Sequence, residues 1–337
     1  MITRIFHRWE RRLHAVTHDR LVRPFEWGLE WLPLGARSLE GSPTEIIAAY
    51  AEGAVAESDS FYAVTPAPHY DLDTQHSLTF ESAAATPHPV NNLVHARYFP
   101  ALARDRRRAV LVLPHWNADE TGYVALCQIL ARLGVSALRL TLPYHERRMP
   151  ADLRRADYIV SANVARTLIV NRQAVVDARR AIWWLANRGY EAIGILGTSL
   201  GSCLSMLTAC HEPLVRAAAL NHVSPFFADV VWEGLSTMHV RSGLKGHIDL
   251  PSLRRLWMPI SPQPFVERMR DKRTLLVYAR YDLTFPLHLS RELVHEFRAR
   301  AIPHQVVALP CGHYSTGMTP FKYLDGYVLT RFLLKAL

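Results

Sequence analysis

The pentapeptide Gly197-Thr198-Ser199-Leu200-Gly201 constrains this chain more than any other segment. It lies where a short apolar run, 192–196, gives way to a helical stretch over 200–210. A serine squeezed between strand and helix sits in a sharp turn with its hydroxyl exposed, and small residues on either side let the two elements pass closely. The pentapeptide alone carries little weight, because about 0.1 chance match is expected in a chain of this length when each required residue fills roughly 7% of positions. The strand before it and the helix after it are what give it meaning.

The same rhythm continues along the chain. Apolar runs at 109–113, 135–140, 192–196, 217–220, 275–279 and 305–309 alternate with helical patterns at 123–133, 164–187, 200–210, 287–300 and 321–337. Two further strands read at 77–82 and 93–99. Continuous apolar strands alternating with helices predict an α/β fold: a mostly parallel central sheet of about eight strands with helices on both faces. In such sheets the ligand lies beyond the carboxyl ends of the strands, so the residues just after each run carry the chemistry.

Serine at neutral pH is a weak nucleophile and needs a base, and the base needs an orienting acid. Asp282 follows the 275–279 run and His313 follows 305–309, so Ser199 as nucleophile, His313 as base and Asp282 as acid come in one consistent chain order. His288, His295, His304 and Asp271 lie in helices or before their strands, at the wrong ends. His222 and Asp229, after 217–220, are the best substitutes, with Asp229 as the second choice for the acid. The oxyanion of an acyl-transfer intermediate needs donors: the backbone N–H of Leu200 and one from the loop Pro114-His115-Trp116-Asn117, for which Trp116 is the candidate. The loop Tyr144-His145-Glu146-Arg147-Arg148 should lie near the same edge. Its Tyr144, His145, Arg147 and Arg148, with His115, are candidate substrate-binding residues, since arginine grips carboxylates and phosphates bidentately. The plainer reading is a solvated loop.

No metal or cofactor is expected. His145-Glu146 has no H-E-x-x-H continuation, and the four cysteines, Cys127, Cys203, Cys210 and Cys311, form no CxxC pair. The net charge is +9, concentrated at Arg4, Arg8, Arg11, Arg12, Arg20 and Arg23, at Arg104, Arg106, Arg107 and Arg108, and at Arg147, Arg148, Arg154 and Arg155. With no zinc-finger spacing and no RNP-like aromatic string, a nucleic-acid partner is not expected. Residues 1–76 read as an N-terminal helical extension, with Ile5, Trp9, Leu13 and Val16 at helical spacing as its core-facing stripe. A basic helix of this kind also suits peripheral contact with an anionic membrane. No apolar run is long enough to span a bilayer and the start lacks a signal-peptide stretch, so a cytoplasmic location is expected. Within the main domain, 77–337, the long aromatic-rich stretch 224–272 between two strands reads as a lid. The oligomeric state is not legible.

At Gly197, Ser199, Gly201, Asp282 and His313 the sequence resembles the α/β-hydrolase superfamily, over roughly 77–337. The resemblance implies a triad at the carboxyl edge of the sheet and no cofactor. It also implies one of the activities of that superfamily: esterase, lipase, thioesterase, deacetylase, peptidase or acyltransferase. His115-Trp116 stands where many such hydrolases have His-Gly, which puts that loop's geometry in question but not its backbone donor. Pro143-Tyr144, Arg147-Arg148 and Pro150, with the long N-terminal extension, resemble the subgroup around alpha/beta hydrolase domain-containing protein 18, which tilts the substrate towards a lipid ester. The leading expectation is a carboxylic-ester hydrolase acting on a small-molecule or lipid ester. An acyltransferase or thioesterase with the same triad, and a non-catalytic binding protein on a hydrolase fold, are the alternatives. An ordinary histidine base is lost to protonation below a pH of roughly 6 to 7, so kcat/KM should fall there; activity that stays flat down to about pH 4 would exclude such a base.

Overall fold

Six of the apolar runs lie side by side as parallel strands: β4 (Arg108–Leu113), β5 (Ser136–Leu140), β6 (Ala192–Thr198), β7 (Val215–Asn221), β8 (Arg273–Ala279) and β9 (Gln305–Leu309). Every residue of β4 and β5 is buried, as expected where helices cover both faces. The computed structural model describes residues 1–33, 35, 40–102 and 107–337, and Arg104 and Arg106 lie outside the described residues.

Three antiparallel strands extend one edge: β1 (Tyr70–Leu72), β2 (Ser77–Glu81) and β3 (Leu93–Phe99). The sheet order is β1-β2-β3-β5-β4-β6-β7-β8-β9. It contains the eight strands read from the sequence and one more. β1 escaped notice because it is a three-residue, partly exposed edge strand with no apolar alternation to betray it. Asp73 makes its turn, accepting from the N–H groups of Gln75 and Ser77. β1 falls before residue 77, so the end of the expected extension belongs to the sheet.

Strand order reverses direction around β4, which pairs with β5 on one side and β6 on the other. The loops leaving the carboxyl ends of β4 and β6 therefore diverge and open a crevice, where open α/β sheets bind ligands. The helices are α1 (Ile2–Ala15), α2 (Pro43–Ala56), α3 (Val124–Arg132), α4 (Val164–Asn187), α5 (Leu200–His211), α6 (Phe227–Glu233), α7 (Met238–Leu244), α8 (Leu250–Leu256), α9 (Leu287–Ala299) and α10 (Phe321–Ala336), besides shorter turns. α4 is buried on nearly every side, so its polar groups need internal partners: Gln173 takes Asn91, and Asp177 takes Arg148. Residues 224–272 form α6, α7 and α8 with intervening turns. They are anchored by Trp257, which is fully buried and donates its indole N–H to the Val164 carbonyl at 3.0 Å.

The N-terminal helix does not dock as its apolar spacing suggested. Ile5 and Val16 are exposed, and the one buried residue of α1 is Glu10. Two backbone N–H groups that need an acceptor outweigh the apolar stripe in setting the rotation of the helix. The arginines Arg4, Arg8, Arg11 and Arg12 point to solvent. Among the described residues, no helix is long and apolar enough to cross a membrane.

Arg148 and Asp177 form an ion pair at 2.8 Å with both side chains fully buried. Arg148→Met should leave that carboxylate uncompensated and cost about 3–5 kcal/mol, measured by urea unfolding, while Arg148→Met with Asp177→Leu should recover most of the loss. A single variant as stable as the parent would contradict this account of the pair.

Candidate functional site

Ser199 sits between β6 and α5 with φ 58° and ψ −120°, a conformation that L-residues avoid and that a surrounding structure must enforce. The enforcement comes from both sides. A Cβ on Gly201 would lie 2.2 Å from the Leu113 carbonyl and 2.4 Å from that of Pro114; one on Gly197 would lie 2.0 Å from the Gly201 carbonyl. Only glycines let α5 cross so close to β4 and β6. Ser199 N–H donates to Asn221 O at 2.8 Å, and the Ser202 hydroxyl reaches the carbonyls of Ser199 at 2.7 Å and His222 at 2.5 Å. Ser199 Oγ has no hydrogen-bond partner among the described residues and borders a cavity of about 1380 Å³.

Asp282 and His313 meet because the β8–β9 pairing continues past the strands, with Arg280 N–H on Leu309 O and Tyr281 N–H on Cys311 O. His313 Nδ1 lies 3.1 Å from Asp282 Oδ2. The other carboxylate oxygen, Oδ1, accepts from the backbone N–H groups of Thr284 and Phe285, both at 2.7 Å. A second imidazole shares Oδ2: His222 Nδ1 stands 2.8 Å away, and the two histidine rings are 4.4 Å apart. Burial pushes the Asp282 carboxyl up, but His313 and the hydrogen bonds from both histidines outweigh it, and the group is held well below the usual carboxylate range. Asp282 is therefore ionised at any pH where the protein works. Phe285 stacks on His313 with the rings 4° from parallel. Asp229, the second choice for the acid, is instead paired with Arg254 at 2.6 Å.

His115, Trp116, Leu200, His222 and His313 border the same cavity as Ser199. Neither the Leu200 nor the Trp116 backbone N–H finds an acceptor among the described residues. The loop that carries Trp116 is fixed from behind. Asn117 N–H donates to His145 Nε2 at 2.9 Å, Asn117 Oδ1 accepts from Ala156 N–H at 2.8 Å, and the Trp116 indole donates to Ala156 O at 2.8 Å. His115 is exposed to the cavity and bonds Tyr123 OH at 2.8 Å; the loss of bulk water among the surrounding protein atoms, with the nearby His313 ring, lowers its pKa.

The remaining substrate-binding candidates lie elsewhere. Tyr144 is fully buried, with its hydroxyl on His88 and its N–H on Asn91. His145 is buried behind the Trp116 loop, Arg148 is committed to Asp177, and Arg147 is exposed beside Glu120. None borders the cavity: three are turned inward onto internal partners, and Arg147 lies on the surface. The cationic residues that do border it are Arg20, Arg155, Lys322, Arg331 and Lys335. Two residues that sequence reasoning did not single out join the site. Asp325 of α10 accepts from Asn221 at 3.0 Å, and burial raises its pKa to about 6. Glu10 of α1 binds the backbone beside His313. Its one signal in the sequence was a lone acid in an arginine-rich helix.

His222, Asp282 and His313 form a group whose ligand-capable atoms lie within 4.8 Å of one another, close enough for a cation. Both Nδ1 atoms address one carboxylate oxygen at hydrogen-bond distance, which calls for a proton on each Nδ1 and leaves the lone pair of each ring on Nε2. The donor set fits a hydrogen-bonded acid–base cluster.

Residues 77–234 match the family model described as alpha/beta hydrolase domain containing 18. The chain has the α/β-hydrolase fold. The matched segment includes Ser199 and Trp116 and ends before Asp282 and His313. No curated protein sequence matches the chain. Among solved structures, the chain is similar to acetyl xylan esterase 1 from Thermoanaerobacterium sp. JW/SL YS485, at 13% identity and a TM-score of 0.61, over 97% of this chain and 98% of that one. It is similar to the acetyl xylan esterase from Paenibacillus sp. R4 at 16% identity and 0.61, over 92% and 98%. Against the acylaminoacyl peptidase of Pyrococcus horikoshii the values are 11% and 0.58, over 82% of this chain and 50% of the peptidase, so the chain spans half of that protein's length. Likeness at these identities is likeness of fold.

Burial pushes the pKa of His145 down to about 3, against a weaker raising effect from its bond to Pro143 O. A histidine kept neutral in the fold contributes stability above its unfolded pKa, near 6.5, that is lost as pH falls towards 3. His145→Ala should cost about 1–3 kcal/mol at pH 7 by orphaning the Asn117 N–H. The gap to the parent should shrink as pH drops from 7 to 4 in paired denaturation curves. A gap that widened on acidification would contradict the neutral, accepting histidine.

Proposed function

We propose that this protein cleaves a carboxylic ester through an acyl-enzyme on Ser199. The single observation that carries the reading is that His313, bonded to Asp282, lines the same cavity as Ser199 in its strained turn. In the proposed reaction Ser199 Oγ attacks the ester carbonyl and its proton passes to His313 Nε2. The oxyanion is held by the Leu200 and Trp116 N–H groups, which find no acceptor among the described residues. The alcohol leaves with the proton from His313, and water, deprotonated by the same nitrogen, releases the acid and restores Ser199. Asp282 keeps a proton on Nδ1 and stabilises the imidazolium.

Two histidines touch Asp282, and accessibility supports His313 as the base. Its side chain is 13% exposed and that of His222 only 2%. His222 then holds Asp282 in place. The apolar part of the substrate is assigned to the wall built by Trp116, Phe226, Phe227, Val230 and Val231, of which the last four come from the segment proposed as a lid.

The test is steady-state hydrolysis of a panel of esters from acetyl to long acyl, with product analysis in the presence of a competing alcohol. Ser199→Ala and His313→Ala should each lower kcat by about 1000-fold or more, while His222→Asn should lower it far less. Free acid should remain the main product. If His222→Asn is the inactive variant and His313→Ala the active one, the base is misassigned. Transfer to the alcohol as the dominant outcome would make the protein an acyltransferase.

A further inference from the structure

α1 stands outside the sheet and its covering helices, yet it touches both loops that carry the proposed acid and base. Glu10 is its only acidic residue and is fully buried. No cation pairs with it among the described residues. Instead its carboxylate spans the two residues after His313: Oε2 accepts from Tyr314 N–H at 2.8 Å and Oε1 from Ser315 N–H at 2.9 Å. The residue before His313 is shaped around it. A Cβ on Gly312 would lie 2.3 Å from Glu10 Cδ, so only glycine leaves the carboxylate its place.

One turn earlier on the same helix face, Phe6 stacks on Tyr281, with centroids 4.4 Å apart and planes 12° from parallel. Tyr281 is the neighbour of Asp282. The end of the helix is clasped to the same place, because Arg20 binds the carbonyls of His14 and Thr17 and reaches the Tyr314 hydroxyl at 3.3 Å. One face of the helix thus binds the backbone after His313 and packs on the side chain before Asp282, on either side of the 3.1 Å Asp282–His313 contact.

We propose that Glu10 is a positioning residue of the hydrolase site. Its carboxylate fixes the peptide units after His313 through the two hydrogen bonds from Tyr314 and Ser315 N–H, so that the imidazole keeps its place on Asp282. The inference rests on the Ser199–His313–Asp282 reading for its catalytic meaning and on geometry alone for its effect on His313. It makes the N-terminal extension a working part of the site.

The experiment compares the full-length protein with Glu10→Gln, which keeps the shape but turns one acceptor into an amide donor facing an N–H. Two readouts are taken. The first is the rate of fluorophosphonate labelling at Ser199, together with kcat and KM on an activated ester. The second is the downfield Nδ1 proton of His313 in a protein carrying ¹⁵N-histidine, identified by its absence from His313→Ala. Glu10→Gln should lower kcat and the labelling rate by about 10- to 100-fold with KM changed less than about two-fold, the signature of misplaced reacting groups, and should weaken the His313 resonance. Gly312→Ala should reproduce the loss, and should add almost nothing in a Glu10→Ala background, where the space is vacant. Unchanged kcat with an unchanged resonance, or additive effects of the two substitutions, would overturn the proposal. A wild-type protein that takes no label refutes the hydrolase reading instead; the resonance then still decides Glu10, and its survival in Glu10→Gln overturns the positioning role.

Discussion

The close crossing of α5 over the carboxyl end of β4 is the constraint on which the rest of the site depends. With 2.2 Å between a would-be Gly201 Cβ and the Leu113 carbonyl, no other residue fits. That proximity forces Ser199 into positive φ, leaves its hydroxyl on the cavity side and brings the Leu200 N–H beside the loop that follows β4. The backbone strain at Ser199 is of the order of 1–3 kcal/mol and is sustained by the Asn221 carbonyl and the Ser202 hydroxyl. A proposed nucleophile and its proposed oxyanion donors therefore come from one packing event.

Asp282 is the electrostatic counterpart of that crossing. It is a buried carboxylate with four hydrogen-bond donors: two backbone N–H groups on one oxygen and two imidazoles on the other. Such a group keeps its charge because each lone pair is answered, and it holds both rings in the tautomer that presents Nε2 outwards. The arrangement is more cross-linked than a simple Ser-His-Asp line, and the Glu10 clamp adds a further tie on the His313 side.

Much of the fold was legible because it rests on local pattern. Most of the apolar runs are strands buried on both faces, with the edge strand β9 only partly so, and the helices between them carry the matching period. What failed to read were features decided by partners far away in the chain. Arg148 looked like a ligand-binding residue beside Arg147, but its partner is Asp177, a residue whose proximity no local spacing reveals. His145 turned inward to accept from Asn117. Of the expected stripe, Trp9 and Leu13 are half-buried while Ile5 and Val16 are exposed, and the buried place on α1 goes to the carboxylate that accepts from two backbone donors. The shared carboxylate was half-legible: His222 stood out as following a strand, but only coordinates reveal that it and His313 address one oxygen.

The central claim is that Ser199 is an activated nucleophile. The measurement that tests it most directly is labelling of the folded protein with a fluorophosphonate, followed by peptide mapping, on the wild type and on Ser199→Ala. The account requires one adduct, on the peptide holding Ser199, and none in the variant. A folded wild type that takes no label, or takes it equally in Ser199→Ala, would contradict it.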